Sequence, residues 1–360
     1  MRFKPEEFLV EEITLSGETI RLNEPFQRED STQEKKWHCR FALQKTLWNT
    51  GDALRALARA VHAKPSRFSF AGSKDRNAVT TQMCSAFCVN PKALLNARVK
   101  DLKVLGAWKE EEKVRLGDLK GNRFTITLTQ ENCGVKPDPE KIRGNASTGR
   151  YPNAFGSQRF GSVRKNTALV GESLLKGDLE GAVKNFLCYV EGENNEEALQ
   201  ARRRLEKEGD YAAALEYYPK WLKAERLMLA SLAEKPSDWA RALRRLPRGL
   251  QLLFVHAVQS RLFNDELAAG PSGTEGNLVG YETPSLTPFE EEWLKSRGLA
   301  RESFRLPHLP ELASKGGKRK WFAELRGFEL LSEDPVTVRF SLDSGCYATQ
   351  AIKFLVGLGQ

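Results

Sequence analysis

An aspartate set between two cations, Lys74-Asp75-Arg76, follows the apolar-to-glycine run Phe70-Ala71-Gly72-Ser73. Flanking positive charge favours the ionised carboxylate and lowers its pKa. An ionised carboxylate near phosphates is equipped as a nucleophile or a general base. The glycine would let the backbone turn tightly. Taken alone, the pattern describes a surface turn with an ion pair more readily than a catalytic group. The four histidines (His38, His62, His256, His308) are dispersed, and Cys84 and Cys88 have no second pair nearby, so the inventory for a metal site is poor.

The elements that must position this turn read as follows. Residues 8–13 and 37–43 have strand character, and 67–71 is a short strand running into the polar turn 72–77. Residues 79–89 are its return strand, and 122–129 alternate as another strand. Leu54, Leu57, Ala58 and Val61 share one helical face, so a helix is expected over 52–63, ended by Pro65. This part reads as α+β with a largely antiparallel sheet. From about 166 to 268 the pattern is helical, broken at Gly177-Asp178, Gly209-Asp210 and Pro236-Ser237-Asp238, with the longest apolar helix at 249–268. Residues 269–318 read as loops with short elements. A strand at 336–340 and a helix at 347–356 follow.

Composition bounds the partners. The chain has 360 residues, 40% hydrophobic and 29% charged, which can build a core and suggests about two domains. No apolar run approaches the ~18 residues of a membrane helix, and the first residues lack a signal core. Six scattered cysteines suit a reducing cytoplasm. The formal net charge is +9 and the pI near 9.2. That charge is clustered: residues 35–80 carry ten Lys or Arg against two Asp. Further clusters are Arg143, Arg150, Arg159, Arg164 and Lys165; Arg241, Arg244, Arg245 and Arg248; and Lys315, Lys318, Arg319 and Lys320. This is the footprint of a polyanion binder, with solvated faces as the plain alternative.

Residues 70–82 (FAGSKDRNAVTTQ) resemble the catalytic motif of the TruD family of tRNA pseudouridine synthases. Gly121-Asn122-Arg123-Phe124 resembles that family's Gly-Asn-x-Phe strand, and residues 152–161 (PNAFGSQRFG) its Pro-Asn-Tyr-Phe-Gly-x-Gln-Arg-Phe-Gly segment. Shorter matches at 5–10, 259–264 and 345–349 keep family order across the chain.

The resemblance implies isomerisation of uridine to pseudouridine in tRNA, at uridine 13, without cofactor or metal. It implies an α+β fold: a pseudouridine-synthase catalytic domain with a mixed, mostly antiparallel sheet over residues 1–150 and 330–360. An inserted α/β domain specific to the family would occupy 151–329. Asp75 aligns with the catalytic aspartate, as nucleophile or base. Lys74 and Arg76 could pair with it or hold phosphates. Phe124 matches the aromatic expected to stack on the target base. Asn122 shares its strand face and could hydrogen-bond the aspartate or the uracil. Phe8 and Arg2 match N-terminal site positions, and Gln158 and Arg159 lie in the third motif as RNA contacts or a structural corner. Gln259, Ser260 and Asn264 could serve helix packing. A cytoplasmic monomer with tRNA as its partner, and with neither membrane nor protein partner, is expected. Other RNA targets and a non-catalytic RNA-binding scaffold are the alternatives. Ala154 replaces the family's usual aromatic and Phe354 a common carboxylate, which bears on substrate positioning.

Overall fold

The computed structural model describes residues 1–360 apart from Arg2, Ser162, Gly359 and Gln360. The chain divides into two compact units, Met1–Pro152 with Ala323–Gln360, and Asn153–Phe322. The first unit runs β1 (Phe8–Ile13), β2 (His38–Thr46), α1 (Thr50–Ala60), β3 (Phe68–Phe70), β4 (Val79–Phe87) and α2 (Pro91–Asn96). It continues through β5 (Leu102–Glu110), β6 (Gly121–Leu128), α3 (Gln130–Cys133), α4 (Pro139–Ala146) and β7 (Arg150–Pro152).

The second unit is mainly helical. It comprises α5 (Thr167–Leu175), α6 (Leu179–Leu187), α7 (Glu196–Glu208), α8 (Tyr211–Tyr217), α9 (Lys223–Glu234), α10 (Trp239–Arg244) and the 22-residue α11 (Arg248–Ala269). The antiparallel pair β8 (Glu275–Leu278) and β9 (Gly317–Lys320) encloses α12 (Pro288–Ser296). Helix α12 is one of the short elements expected among the loops of 269–318. It starts on a capping box, with Thr287 accepting from the Glu290 N–H and Glu290 accepting from the Thr287 N–H. The chain then enters β10 (Phe322–Glu324), β11 (Arg326–Glu333), β12 (Val336–Asp343) and α13 (Ala348–Leu355). The first unit therefore resumes before the expected residue 330.

The eight-stranded sheet has the order β11-β12-β6-β1-β4-β2-β5, with β3 added beside β4. Only β1–β4 is parallel; the other pairings are antiparallel. Strands β5 and β11 were not expected from the sequence. Strand β11 alternates between exposed and half-buried residues, so it offers no apolar stripe to read.

Strand β4 changes partner along its length. Val79–Thr81 pair with β1, whereas Cys84–Ala86 pair with β3. The fork between them lies at Gln82-Met83, and the loop 71–78 leaves the sheet beside it. On one face of the sheet sit two apolar cores. Phe8, Val10, Phe124, Ile126, Val338 and Phe340 pack with α4 and α13 residues such as Ile142 and Ile352. Cys39, Phe41, Leu43 and Cys84 pack with Leu54 and Leu57 of α1. Such burial, at roughly 25 cal/mol per Å² of apolar surface, is what holds these layers together. Cross-strand register places Glu12, Asn122, Thr80, Gln82 and Lys45 on this same face, as a polar seam between the two cores.

Gly121, first of the Gly-Asn-x-Phe residues, is required by close approach. A Cβ there would stand 2.2 Å from the Leu342 carbonyl oxygen of β12. Gly72 has no comparable need: a Cβ would meet only Leu119 Cδ2, at 3.9 Å, and its φ is not left-handed. The tight turn expected at Gly72 is therefore not a glycine requirement.

Candidate active site

Asp75 sits on a loop held at four backbone points. The Ala71 carbonyl accepts from Gly117 N–H at 2.8 Å. The Gly72 carbonyl accepts from Gln82 Nε2 at 3.4 Å, and the Lys74 N–H donates to Thr50 Oγ1 at 3.0 Å. The Asp75 carbonyl accepts from Lys45 Nζ at 2.7 Å. Thr50 Oγ1 in turn donates to Gln82 Oε1 at 2.9 Å, so the first turn of α1 and the fork of β4 grip the loop together. A loop tied this way holds its side chains with little freedom to lose on binding.

The side chains flanking Asp75 diverge. Lys74 is buried and turns inward, its ammonium 2.6 Å from Glu12 Oε2 and donating to Asn122 Oδ1 at 2.7 Å. It is not placed to hold phosphate, because its charge is committed to a fully buried carboxylate. Asn122 accordingly meets Lys74 and not the aspartate. Arg76 is exposed, and its charge is felt at Asp52 of α1.

The electrostatics reverse the sequence-based expectation for Asp75. Asp75 is an exposed residue of the loop, yet desolvation by the surrounding protein raises its carboxyl pKa above the ordinary 3.8, outweighing the attraction of Lys45 and then Lys74. The adjacent cations are not free to dominate, since Lys74 neutralises Glu12 first. Burial likewise pushes the Glu12 carboxyl up, opposed by Lys74. Lys45, with no exposed surface, is pushed down to about 8 by burial, with Asp75 opposing the shift.

Glu12 and Lys45 escaped the sequence reading, although a signal was present. On β1 the inward positions are Phe8, Val10 and Glu12; on β2 they are Cys39, Phe41, Leu43 and Lys45. A charge at an inward position of an alternating strand marks a buried partner. Glu12 also bridges the fork, accepting the Met83 N–H at 2.8 Å where β4 has left β1.

Phe8 and Phe124 lie within the core. Phe124 is 6% exposed, with ring centroids 6.0 Å from Phe8 and 5.7 Å from Phe340. Most of its ring is therefore structural. Phe124→Ala is expected to cost about 3–5 kcal/mol of stability, as for other buried aromatic truncations. Calorimetric unfolding checks this, and a cost below about 1 kcal/mol would place the ring outside the core. Arg2 lies outside the described residues.

In the second unit, Gln158 is exposed on a 3-10 turn, and Arg159 is half-buried with its guanidinium 5.2 Å from the Phe155 ring centre. Asn264 of α11 fixes the same segment, accepting from Phe155 N–H at 2.8 Å and donating to its carbonyl at 3.0 Å. Gln259 donates to Val279 O and Ser314 Oγ, and Ser260 to His256 O. These are packing roles. Arg319 bonds the Asn153 carbonyl at 3.0 Å and lies 4.2 Å from the Phe155 ring centre.

The basic clusters are unequal. Arg164 is drawn into a buried ion cluster with Arg202, Glu193 and Glu225. Arg241 pairs with Glu234, Arg244 with Glu311 at 2.6 Å, and Arg248 donates to the Glu311 carbonyl. Lys315 pairs with Glu282, while Lys318 and Lys320 stand exposed on β9. Among the described residues, no group of three or more His, Cys, Asp or Glu is arranged to hold a metal ion, and no helix is long and apolar enough to cross a membrane.

The chain matches the sequence model of tRNA pseudouridine synthase D (TruD) over residues 1–270 and 272–353. It belongs to the TruD family. A Methanopyrus kandleri protein named "Probable tRNA pseudouridine synthase D" is 37% identical over 344 residues, covering 89% of this chain and 86% of its own. A Methanococcoides burtonii protein of the same name is 30% identical, covering 98% of this chain and 92% of its own. A crystal structure of a TruD protein from Methanosarcina mazei superposes with a TM-score of 0.71 at 28% identity, over 99% of this chain and 93% of that one. The TruD match extends to the fold: an α+β chain built on a mixed, mainly antiparallel sheet.

Proposed function

We propose that this chain is a tRNA pseudouridine synthase that isomerises uridine 13, with Asp75 as the catalytic carboxylate. The observation that carries the reading is the pinned loop. A TruD-type motif holds its aspartate exposed at the surface, while the buried cations Lys45 and Lys74 are fixed by the sheet behind it.

Isomerisation breaks the bond from uracil N1 to ribose C1′, rotates the base and joins its C5 to C1′, expelling the C5 hydrogen. The Asp75 carboxylate acts at the sugar, as nucleophile or as base. To reach it the target uridine leaves its stack, at a cost of a few kcal/mol. Asn122 and the exposed rim of Phe124 would then meet the uracil, with Phe8 and Phe340 backing that ring. Arg76, Gln158, Arg159, Lys318 and Lys320 supply contacts to the RNA backbone, which makes binding salt-sensitive. The protein acts as a monomer in a reducing cytoplasm, in keeping with six cysteines that form no disulfide.

Transcripts of tRNA carrying tritium at uridine C5 test this reading. Wild-type protein is expected to release about one tritium equivalent per tRNA from position 13, and none from that position when uridine 13 is replaced by cytidine. Unchanged release from the cytidine-13 transcript would move the target to another uridine. No release from any tRNA, with binding intact, would favour the non-catalytic scaffold.

A further inference from the structure

We propose that the second unit carries a binding site for a hard divalent cation of the Ca²⁺ type, built by Glu266 of α11, Asn277 of β8 and Glu290 of α12. It lies outside the Asp75 site and does not depend on the catalytic reading. The three side chains are 7%, 4% and 0% exposed. Each keeps one buried oxygen without a partner: Glu266 Oε2, Asn277 Oδ1 and Glu290 Oε1. Their remaining polar atoms hold them together. The Thr287 hydroxyl donates to Glu266 Oε1 at 2.7 Å, and the Thr287 N–H donates to Glu290 Oε2 at 2.8 Å. Asn277 Nδ2 donates to that same Glu290 oxygen at 2.8 Å and to the Ser285 carbonyl at 3.1 Å. The two carboxylates are also within hydrogen-bonding reach of each other.

A buried acceptor without a donor costs free energy, and a buried carboxylate without a counter-charge costs more. Among the described residues, the one cation felt at Glu266 is Lys318 of β9, and only weakly. A proton shared by the glutamates would serve Glu266 Oε2 and Glu290 Oε1, but would leave the Asn277 carbonyl oxygen without a donor. A water could supply hydrogens to two of the three oxygens and would leave the charge. A cation answers all three oxygens and the charge together. Carboxylate and amide oxygens are hard donors, which suit Ca²⁺, Mg²⁺ or Mn²⁺ and not the metals that seek thiolate or imidazole. Two carboxylates balance a divalent charge. Ca²⁺ accepts an irregular donor set filled out by waters, whereas Mg²⁺ demands a near-octahedral shell. Such an ion ties the last turn of α11 to β8 and to the first turn of α12. Asn264, two residues before Glu266, fixes Phe155 of the third motif, so the ion would steady that segment too.

The test uses the full chain with neither RNA nor turnover, so its outcome is separate from that of the Asp75 assignment. Two tryptophans stand beside the site. Trp293 follows Glu290 by three residues on α12, and the Trp321 ring packs on Gly276, where a Cβ would stand 2.1 Å from it. Tb³⁺, a luminescent stand-in for Ca²⁺, is therefore expected to emit on tryptophan excitation when added to protein stripped with EDTA. Excess Ca²⁺ should abolish that emission by displacement. At a hundredfold excess over its Kd, Ca²⁺ is expected to raise the thermal transition by about 5–10 °C relative to EDTA. Glu266→Gln should lose both responses, and in EDTA it should melt no lower than wild type, because a buried charge is gone. A wild type with no emission and a Ca²⁺-insensitive transition overturns the proposal and leaves the glutamates sharing a proton. Emission that persists in Glu266→Gln overturns it equally, as ion capture elsewhere on the surface. If Glu266→Gln does not fold, Glu266→Asp takes its place. Withdrawing the carboxylate by one methylene is expected to weaken Tb³⁺ binding about tenfold or more, and unchanged affinity overturns the proposal.

Discussion

Asp75→Asn is expected to reduce tritium release at least about 10³-fold, within the 10²–10⁴ that a positioned acid–base group contributes, and further if the carboxylate bonds the sugar. The substitution keeps the shape of the side chain and removes only its charge. Affinity for tRNA should stay within about twofold, because the cations proposed to contact RNA, Arg76, Arg159, Lys318 and Lys320, are left in place. Folding should also survive. The folded-state pKa of Asp75 is raised, so its ionised form is less favourable in the folded chain than in the unfolded one. That penalty is present above the raised pKa and disappears as the pH falls below the ordinary value. Removing the charge at pH 7 is therefore neutral to slightly stabilising. The same shift fixes the acid limb of the wild-type pH–rate profile. Turnover needs the carboxylate, so it falls with decreasing pH at a value above the ordinary 3.8. An acid limb at or below 3.8, or substantial activity in the Asn variant, would remove Asp75 from the chemistry.

Glu12→Leu is expected to be the most destabilising single change in the first unit. It leaves the Lys74 ammonium buried with only Asn122 as partner, and it removes the acceptor for the Met83 N–H. Breaking a buried ion pair from one side costs about 3–5 kcal/mol, which at roughly 2–4 °C per kcal/mol lowers the transition of a unit this size by about 6–20 °C. Glu12→Leu with Lys74→Met should recover part of the loss, since the uncompensated charge is gone. It should not recover all of it, because Asn122 Oδ1 and the Met83 N–H stay without partners, at about 1–3 kcal/mol each. Calorimetry of the two variants decides. Equal transition temperatures for wild type and Glu12→Leu would mean that the pair contributes nothing.

The portion of this site that could be read from sequence is the portion carried by local order. The turn at 72–77 and the strands β1, β3, β4 and β6 follow from alternation and punctuation, and Asp75 and Asn122 fall on them. What was hidden depends on pairing between distant segments. The seam forms because β1 runs parallel to β4 and antiparallel to β6, which brings Glu12 beside Lys74 and Asn122. No local pattern announces that. Two adjacent glutamates on a strand, Glu11-Glu12, did require one to point inward; Glu11 answers Arg123 on the opposite face at 2.7 Å and Glu12 answers Lys74. The direction of the Asp75 shift was misread because sequence neighbours were counted as its charge partners, whereas the fold assigns Lys74 to another carboxylate and sets Asp75 against dense protein.

The sheet that backs the site is closed by β12, which lies on β6 with Phe340 opposite Phe124 and Leu342 opposite Asn122. These strands are separated by the whole second unit. On a ribosome adding roughly 5–20 residues per second, β6 emerges about 10–40 s before β12. For that interval Phe124 and Ile126 lack the strand that covers them, and the residues between can collapse first. The helical insert is thus finished while the wall behind Asn122 is still missing. A chain stalled before residue 336 would carry every residue of the Asp75 loop on a sheet whose β6 edge is still open.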